Sequence, residues 1–508
     1  MYLVFTPLFY INGKPHVGHL YTLYVAKMFG RYLSASGKSY ITITGTDEHG
    51  EKVYHSYLDY ATKNNKHDLT LDDYRYLRRE DFNRVFEVLD SCMIYNSHSE
   101  LHKSYVAHIF NDFLSRGLIY EGKYSGYYNL REEKYIDDAE YDSLSKEEIE
   151  KFVVLKEEQG YYFRLEESVK DIIIDNIETN IVNSDFIEYS KNLVRDAKDI
   201  FITRECKSYD SKIEHSVYLP DLNIYVYVWF SSILYYCAIL RVYNYKLFTP
   251  ILIIGKDIQM FHCSLLMHIS YHLFGYLPFK IVTHSMLNIN KVKVSKSYDN
   301  FDTLNSLIEE FSDLFYSYLL TKNFSNDIEI SREGLLQYAN QLKCDIHNAY
   351  KRYLSLLPSY KASVNDWYVL ANQLIEHEDH IELVKLFCEV YLLKEYLTGA
   401  KIYDILIKVA SYINKKITEK EFWVYSSEKE LSFFIVGNYA RFMLILQSIL
   451  CTPGIEDICI ALKENITSSL SLATKMIEIK MNELNILDLN YNASTEFRKR
   501  NKEKEQSK

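Results

Sequence analysis

Two imidazoles flank a glycine at His16-Val17-Gly18-His19. At the mouth of a helix, backbone N–H groups are free and the helix dipole favours negative charge, so this trio suits the phosphates of a nucleotide. Gly18 lacks a side chain, which lets a ligand lie against the backbone. Asp47, in Gly45-Thr46-Asp47-Glu48-His49-Gly50, offers a carboxylate to something cationic. Lys293-Val294-Ser295-Lys296-Ser297 sets lysines and hydroxyls side by side, groups that can stabilise charge on phosphates. Each stretch also has a plainer reading: surface histidines beside a loop, a strand-end turn, and an unremarkable basic loop.

The surrounding pattern supplies elements to position them. Tyr2 to Phe5 reads as a short apolar strand, Asn12-Gly13 is turn chemistry, and Pro15 cannot sit inside a helix. From Val17, the apolar Leu20, Tyr24, Met28 and Tyr32 recur at helical spacing. Ser39 to Thr44 alternates like a strand. Together these make a βαβ unit, whose right-handed crossover brings both strand ends, and so Asp47 and the histidines, to one edge. Asp68–Leu89 and His102–Leu118 read as amphipathic helices covering the sheet. Tyr225 to Trp229 alternates like a strand, and Ile251 to Ile254 is the continuous apolar run of a parallel strand buried on both faces. A helix is expected from Gly255 to His262, then a last short strand, Ile281 to His284. From about residue 335 the pattern is helical, beginning with one long amphipathic helix through Leu357 on which Asn348 and Arg352, four apart, share a face. Glu428–Cys451 and Ile460–Leu484 give two more helices, and Phe497–Lys508 reads as a charged, disordered tail.

Composition narrows the options. The 508 residues carry a net charge of −11, so no global basic field attracts nucleic acid, and RNA contact must come from local patches or stacking. The eight cysteines are scattered with no CxxC pair, which gives neither a disulfide framework nor a zinc knuckle and points to a reducing compartment. The HVGH stretch begins within a few residues of Met1, so no signal or transit peptide is expected. Leu222–Leu240 is the closest approach to a membrane-length apolar run, and it reads better as a strand and a helix. There is no Walker A motif and no GxGxxG.

Taken in order, HVGH, GTDEHG, Tyr225-Val226-Tyr227-Val228-Trp229-Phe230, Gly255-Lys256-Asp257-Ile258 with Phe261-His262, and KVSKS resemble the methionyl-tRNA synthetase family of class I aminoacyl-tRNA synthetases. HVGH stands for the HIGH motif and KVSKS for the KMSKS loop. The resemblance covers the chain from Tyr2 to about Trp423 and departs from the family at Ser231, usually aspartate, and in Glu205–Leu222, which lacks the usual tryptophan.

The resemblance implies an α/β fold: a Rossmann-type parallel-sheet catalytic domain with a connective insertion, followed by an all-α anticodon-binding helix bundle. The corresponding boundaries are 1–117 and 199–284 for the catalytic halves and 118–198 for the insertion. Residues 285–334 would form the KMSKS-type and stem-contact region, 335–495 the helical domain and 496–508 the tail. It implies ATP binding through His16, Gly18, His19, Asp257, Lys293, Ser295 and Lys296, with His16, His19, Lys293 and Lys296 catalytic. Methionine would meet Pro7, Leu8, Tyr10, Asp47, Trp229, Ser232, Tyr236, Ile258 and His262, an aromatic wall suiting its sulfur. Asn348, Arg352 and Trp423 would read the anticodon, the tryptophan by stacking on a base. From the residues alone, the first two would be an exposed polar pair and the third a core side chain. The implied reactants are methionine, ATP with Mg²⁺, and tRNA(Met); a cytoplasmic monomer without a membrane partner is expected. No structural zinc is expected, because Asn129–Asp142 holds no cysteine or histidine. The appended tRNA-binding or dimerisation domains of some relatives are expected to be absent. Two alternatives stay open: a class I synthetase of another specificity, and a catalytically inactive tRNA-binding paralogue.

Overall fold

A computed structural model describes residues 1–130, 134–136, 138–205, 216–242, 247–289, 292–293, 300–311, 313–356, 378–391, 399–424 and 426–452. Ser295, Lys296, the expected Ile460–Leu484 helix and the tail lie outside these residues. The chain forms two compact units: Met1–Ser312 with Lys322–Ser331, and Asp313–Thr321 with the chain from Arg332.

The first unit begins with strand β1 (Tyr2–Tyr10), helix α1 (Val17–Ala35) and strand β2 (Tyr40–Asp47). Helices α2 (Glu51–Lys63) and α3 (Leu71–Phe86), strand β3 (Cys92–Asn96) and helix α4 (Glu100–Ser115) follow. The helix at Glu51 and the strand at Cys92 are absent from the sequence reading: β3 is too short to show a period, while α2 does carry helical spacing in Val53, Tyr54, Tyr57, Leu58 and Ala61. β1 joins a five-stranded parallel sheet in the order Lys280–His284, Thr249–Gly255, β1, β2, β3. Successive crossovers run outward from β1 in one direction, and the two later strands lie on its other side. The ends of β1 and Thr249–Gly255 therefore meet at a topological switch point, where open α/β sheets leave a crevice.

Both faces of the sheet are buried, as the apolar runs require. Leu3, Phe5, Leu252 and Ile254 face a core containing Phe110, Phe113 and Phe230, while the alternate Val4 and Ile253 are equally buried. Each such side chain contributes roughly 1.5–3 kcal/mol. β1 is longer than its apolar stretch. A register shift falls between Phe5 and Leu8, where Pro7 cannot donate to the ladder. The Tyr235 hydroxyl donates to the Thr6 carbonyl there. The edge strand is covered: Val182 N–H donates to Ile281 O at 2.8 Å, and the Asn183 amide donates to Thr283 O (2.8 Å) and accepts Thr283 N–H (3.0 Å).

Gly117, at φ +71°, follows the end of α4 and turns the chain into the next strand. Ile119–Asn129 pairs antiparallel with Val153–Phe163 along its whole length. After Thr203–Glu205 and Ile224–Val226 pair in a small sheet, a helix starts at Val228 and runs to Val242. Trp229 is thus helical, not the end of a strand as the alternation suggested: the ladder stops at Val226 and the long apolar run beyond it takes over.

In the second unit, Arg332–Gln341 and Asn348–Leu356 are helices joined through a wider-turned helical segment, Leu342–His347. They pack with Gly399–Glu419 and Glu430–Ile449 around buried Tyr350, Leu406, Val409 and Tyr439. Among the described residues Leu431–Ile449 is the one helix long and apolar enough to cross a membrane by length and composition, rather than Leu222–Leu240. Its window is 69% buried, as for the core helix of a bundle.

Candidate active site

A cavity of about 480 Å³ opens at the switch point. It is lined by Pro7, Leu8, Tyr10, His16, Gly18, His19, Asp47, Trp229, Ser232, Tyr236, Asp257, Ile258 and His262, which gathers residues from five separated segments.

At one end stands the start of α1. His16 is the helix cap: its Nδ1 accepts Gly18 N–H at 3.1 Å, while His19 Nδ1 accepts His16 N–H at 3.2 Å. The two rings stack, with centroids 3.8 Å apart. This corrects one expectation, for the Gly18 N–H is taken by His16 rather than open to an anion. The bare glycine also makes room for that ring: a Cβ at 18 would lie 3.0 Å from His16 Cε1. Behind them Thr22 Oγ1 lies 2.9 Å from His284 Nε2, tying α1 to the end of the edge strand. Asp257, exposed at the cavity, folds back so that a Cβ on Gly255 would meet its Oδ1 at 2.6 Å.

At the other end Asp47 is 8% exposed at the last position of β2. Ser97 Oγ donates to its Oδ1 at 2.9 Å and Ser232 Oγ to its Oδ2. Glu48, fully buried, is held by Arg79 at 2.8 and 2.5 Å, and Arg75 Nε donates to the Glu48 carbonyl at 3.1 Å. The GTDEHG turn is therefore wired to α3. Trp229 stacks flat on Phe261, centroids 4.3 Å apart. His262 Nδ1 lies 2.9 Å from Ile258 O and its Nε2 3.0 Å from the Tyr236 hydroxyl. A carbonyl only accepts, so Nδ1 carries the proton and Nε2 accepts from Tyr236. Burial pushes the His262 pKa down to about 4, which keeps the ring neutral.

Ser97, Arg75, Arg79 and Thr22 have no place in the sequence reading, and Phe261 has one only as part of a motif, because their roles depend on distant partners. Only the unassigned strand before Ser97 could have drawn notice to it. Lys293 lies on a short strand, paired with Asn288; Leu287, next to Asn288, lines the cavity. Ser295 and Lys296 are outside the described residues. In the helical unit Asn348 is exposed. Arg352 donates to Asn414 Oδ1 at 2.9 Å and to Thr418 Oγ1 at 2.8 Å. Trp423 is 57% exposed, so it is not a core side chain.

The model of the family described as tRNA synthetases class I (M) matches residues 2–147 and 142–354. The chain belongs to this family. A methionine–tRNA ligase from Rickettsia bellii is 29% identical over 440 residues, 82% of this chain and 79% of that one. One from Helicobacter pylori is 27% identical over 455 residues, 84% and 67% of the two chains. Among solved structures, Mycobacterium tuberculosis methionyl-tRNA synthetase in complex with methionyl-adenylate superposes with a TM-score of 0.70 at 20% identity, covering 90% of this chain and 93% of that one. The fold is thus that of the class I family, with the parallel sheet and switch-point cavity already described.

Proposed function

We propose that the chain is a methionine–tRNA ligase, which activates methionine with ATP and transfers it to tRNA(Met). The observation that carries this reading is one cavity with a stacked histidine pair at one end and a hydroxyl-gripped Asp47 beside an aromatic wall at the other, in a chain of this family. Methionine lies with its ammonium on Asp47 and its thioether against Trp229, Tyr236, Ile258 and His262. Pro7, Leu8 and Tyr10 line its backbone side, and Ser232 acts on it through Asp47.

ATP enters with Mg²⁺ as part of the substrate, its ribose on Asp257 and its phosphates by His16, Gly18 and His19. The methionine carboxylate oxygen attacks the α-phosphorus, and the bond to the bridging oxygen breaks, releasing pyrophosphate. Lys293, Ser295 and Lys296 offset the charge that grows on the leaving group. Catalysis here is positioning and electrostatics. In the second step the terminal adenosine's 2′-hydroxyl attacks the acyl carbon and AMP departs.

Asn348, Arg352 and Trp423 read the anticodon. The division into catalytic halves 1–117 and 199–284, insertion 118–198, loop region 285–334 and helical domain 335–495 belongs to the same proposal, as do a cytoplasmic location and a monomeric state.

ATP–pyrophosphate exchange tests it. Exchange should require methionine, and tRNA(Met) should accept the product. Exchange that is indifferent to methionine, or driven better by another amino acid, overturns the assignment.

A further inference from the structure

Ser97 lies one residue past β3, fully buried, with its N–H donated to Thr46 O at 3.1 Å. Its hydroxyl makes two contacts of opposite sense. The oxygen accepts Glu48 N–H at 2.9 Å, and the hydrogen goes to Asp47 Oδ1 at 2.9 Å. A carboxylate only accepts, so the donor sense of that bond is fixed. Ser232 takes the other carboxylate oxygen. Asp47 is therefore clamped by two elements, the segment after β3 and the Val228–Val242 helix. These two are tied again next door: His102 Nε2 lies 3.0 Å from Ser231 Oγ, and its Nδ1 3.0 Å from the Tyr95 hydroxyl. Burial drives His102 down to about 3, so this link is a neutral hydrogen-bonded chain.

We propose that Ser97 is a positioning residue for substrate recognition. Its bond, with that of Ser232, turns the Asp47 carboxylate toward the α-ammonium, and so sets the preference for an amino acid over its deaminated counterpart. This rests on the reading of Asp47 as the ammonium site.

The test measures pyrophosphate exchange by wild type, Ser97→Ala and Ser97→Thr, with two competitors. Methioninol keeps the ammonium and lacks the carboxylate; 4-(methylthio)butanoate keeps the carboxylate and lacks the ammonium. In Ser97→Ala the KM for methionine and the inhibition constant of methioninol should both rise on the order of tenfold. The constants for ATP and for the deaminated acid should stay put, and Ser97→Thr should restore the wild-type values. Should the alanine variant fail to fold, Ser97→Cys, a near-isostere with a weak donor, should show the same selective loss.

An unchanged methioninol constant, or equal losses for ATP and both competitors, overturns the proposal. A wild type that does not distinguish the two competitors overturns instead the assignment of Asp47, and the proposal falls with it.

Discussion

The two ends of the cavity are built differently. At the histidine end the hydrogen bonds that hold the pair are local: His16 caps Gly18 two residues on, and His19 caps His16 three residues back, while the His19 ring also rests on Phe9 and Phe82 at 5.1 and 5.2 Å between centroids. At the carboxylate end they are remote. Asp47 is held by Ser97, 50 residues away, and by Ser232, 185 away; His262 meets Tyr236, 26 away. One turn of chain sets the hydrogen bonds of the first, whereas those of the second exist only once β2, the segment after β3 and the Val228–Val242 helix have packed. A single atom can therefore disturb the first without touching the fold. A change at the second exposes a network to loss.

The largest effect that separates the two ends is expected from Asp47→Ala. It removes the acceptor of two hydroxyl bonds as well as the proposed partner of the ammonium. The loss of one member of a buried charge pair is worth about 3–5 kcal/mol, so kcat/KM for methionine in exchange should fall roughly a few hundred-fold or more. The KM for ATP should hardly change. Equal damage to both substrates would show that the cavity does not divide this way.

The same contrast explains what could be read without the fold. The βαβ start, the helix from Val17 and the buried Ile251–Ile254 strand are legible because short-range periodicity carries them, whereas the residues from Pro7 to His262 that line the cavity are named by the family resemblance alone. β3 is not legible, since five residues of mixed burial leave no period to find, whereas α2 carries a helical spacing that the sequence reading passes over. Alternation over the five residues ending at Trp229 fits both a strand and a helix entry, and only the pairing of Val226 with Thr203 and the ladder's end there decide it. Ser97, Phe261 and Arg79 are pair properties. Nothing in a lone serine between Asn96 and His98 says that a carboxylate will lie 2.9 Å away.

A second test concerns the remote end through pH. His262 is neutral in the fold, its pKa pushed by burial to about 4, below the ordinary value of 6.5. Between these values the unfolded chain binds the proton and the folded one does not, so stability is full above pH 6.5 and falls as pH drops toward 4. One such group contributes a slope of about 1.4 kcal/mol per pH unit across that window. His102, pushed to about 3 by burial, adds its own slope with the same sign. In urea titrations at pH 7.5, 6 and 5, His262→Gln should show a shallower decline than wild type by about that amount per unit. An identical decline would mean that the ring bonded to Tyr236 and Ile258 is not held neutral.

The smallest expected effect, and the sharpest on the local end, comes from Gly18→Ala. Its backbone is not in the left-handed region, so alanine meets no conformational penalty there. The new Cβ would stand 3.0 Å from His16 Cε1 and 3.2 Å from Nδ1, tighter than an ordinary contact, so the ring must give by a few tenths of an ångström. His16 is half-buried and can shift by that much, stretching its 3.1 Å bond from Gly18 N–H. The weakened cap costs at most the roughly 0.5–2 kcal/mol of a lost one, and replacing glycine near a helix start by alanine returns up to about 1 kcal/mol. The melting temperature should therefore move by a few degrees at most, while kcat for exchange falls roughly tenfold as the stacked pair opens, a barrier change of about 1.4 kcal/mol. Activity lost without stability is the mark of capping bonds made within one turn of chain. A variant that loses both together would show that the histidine end depends on the wider fold as much as Asp47 does.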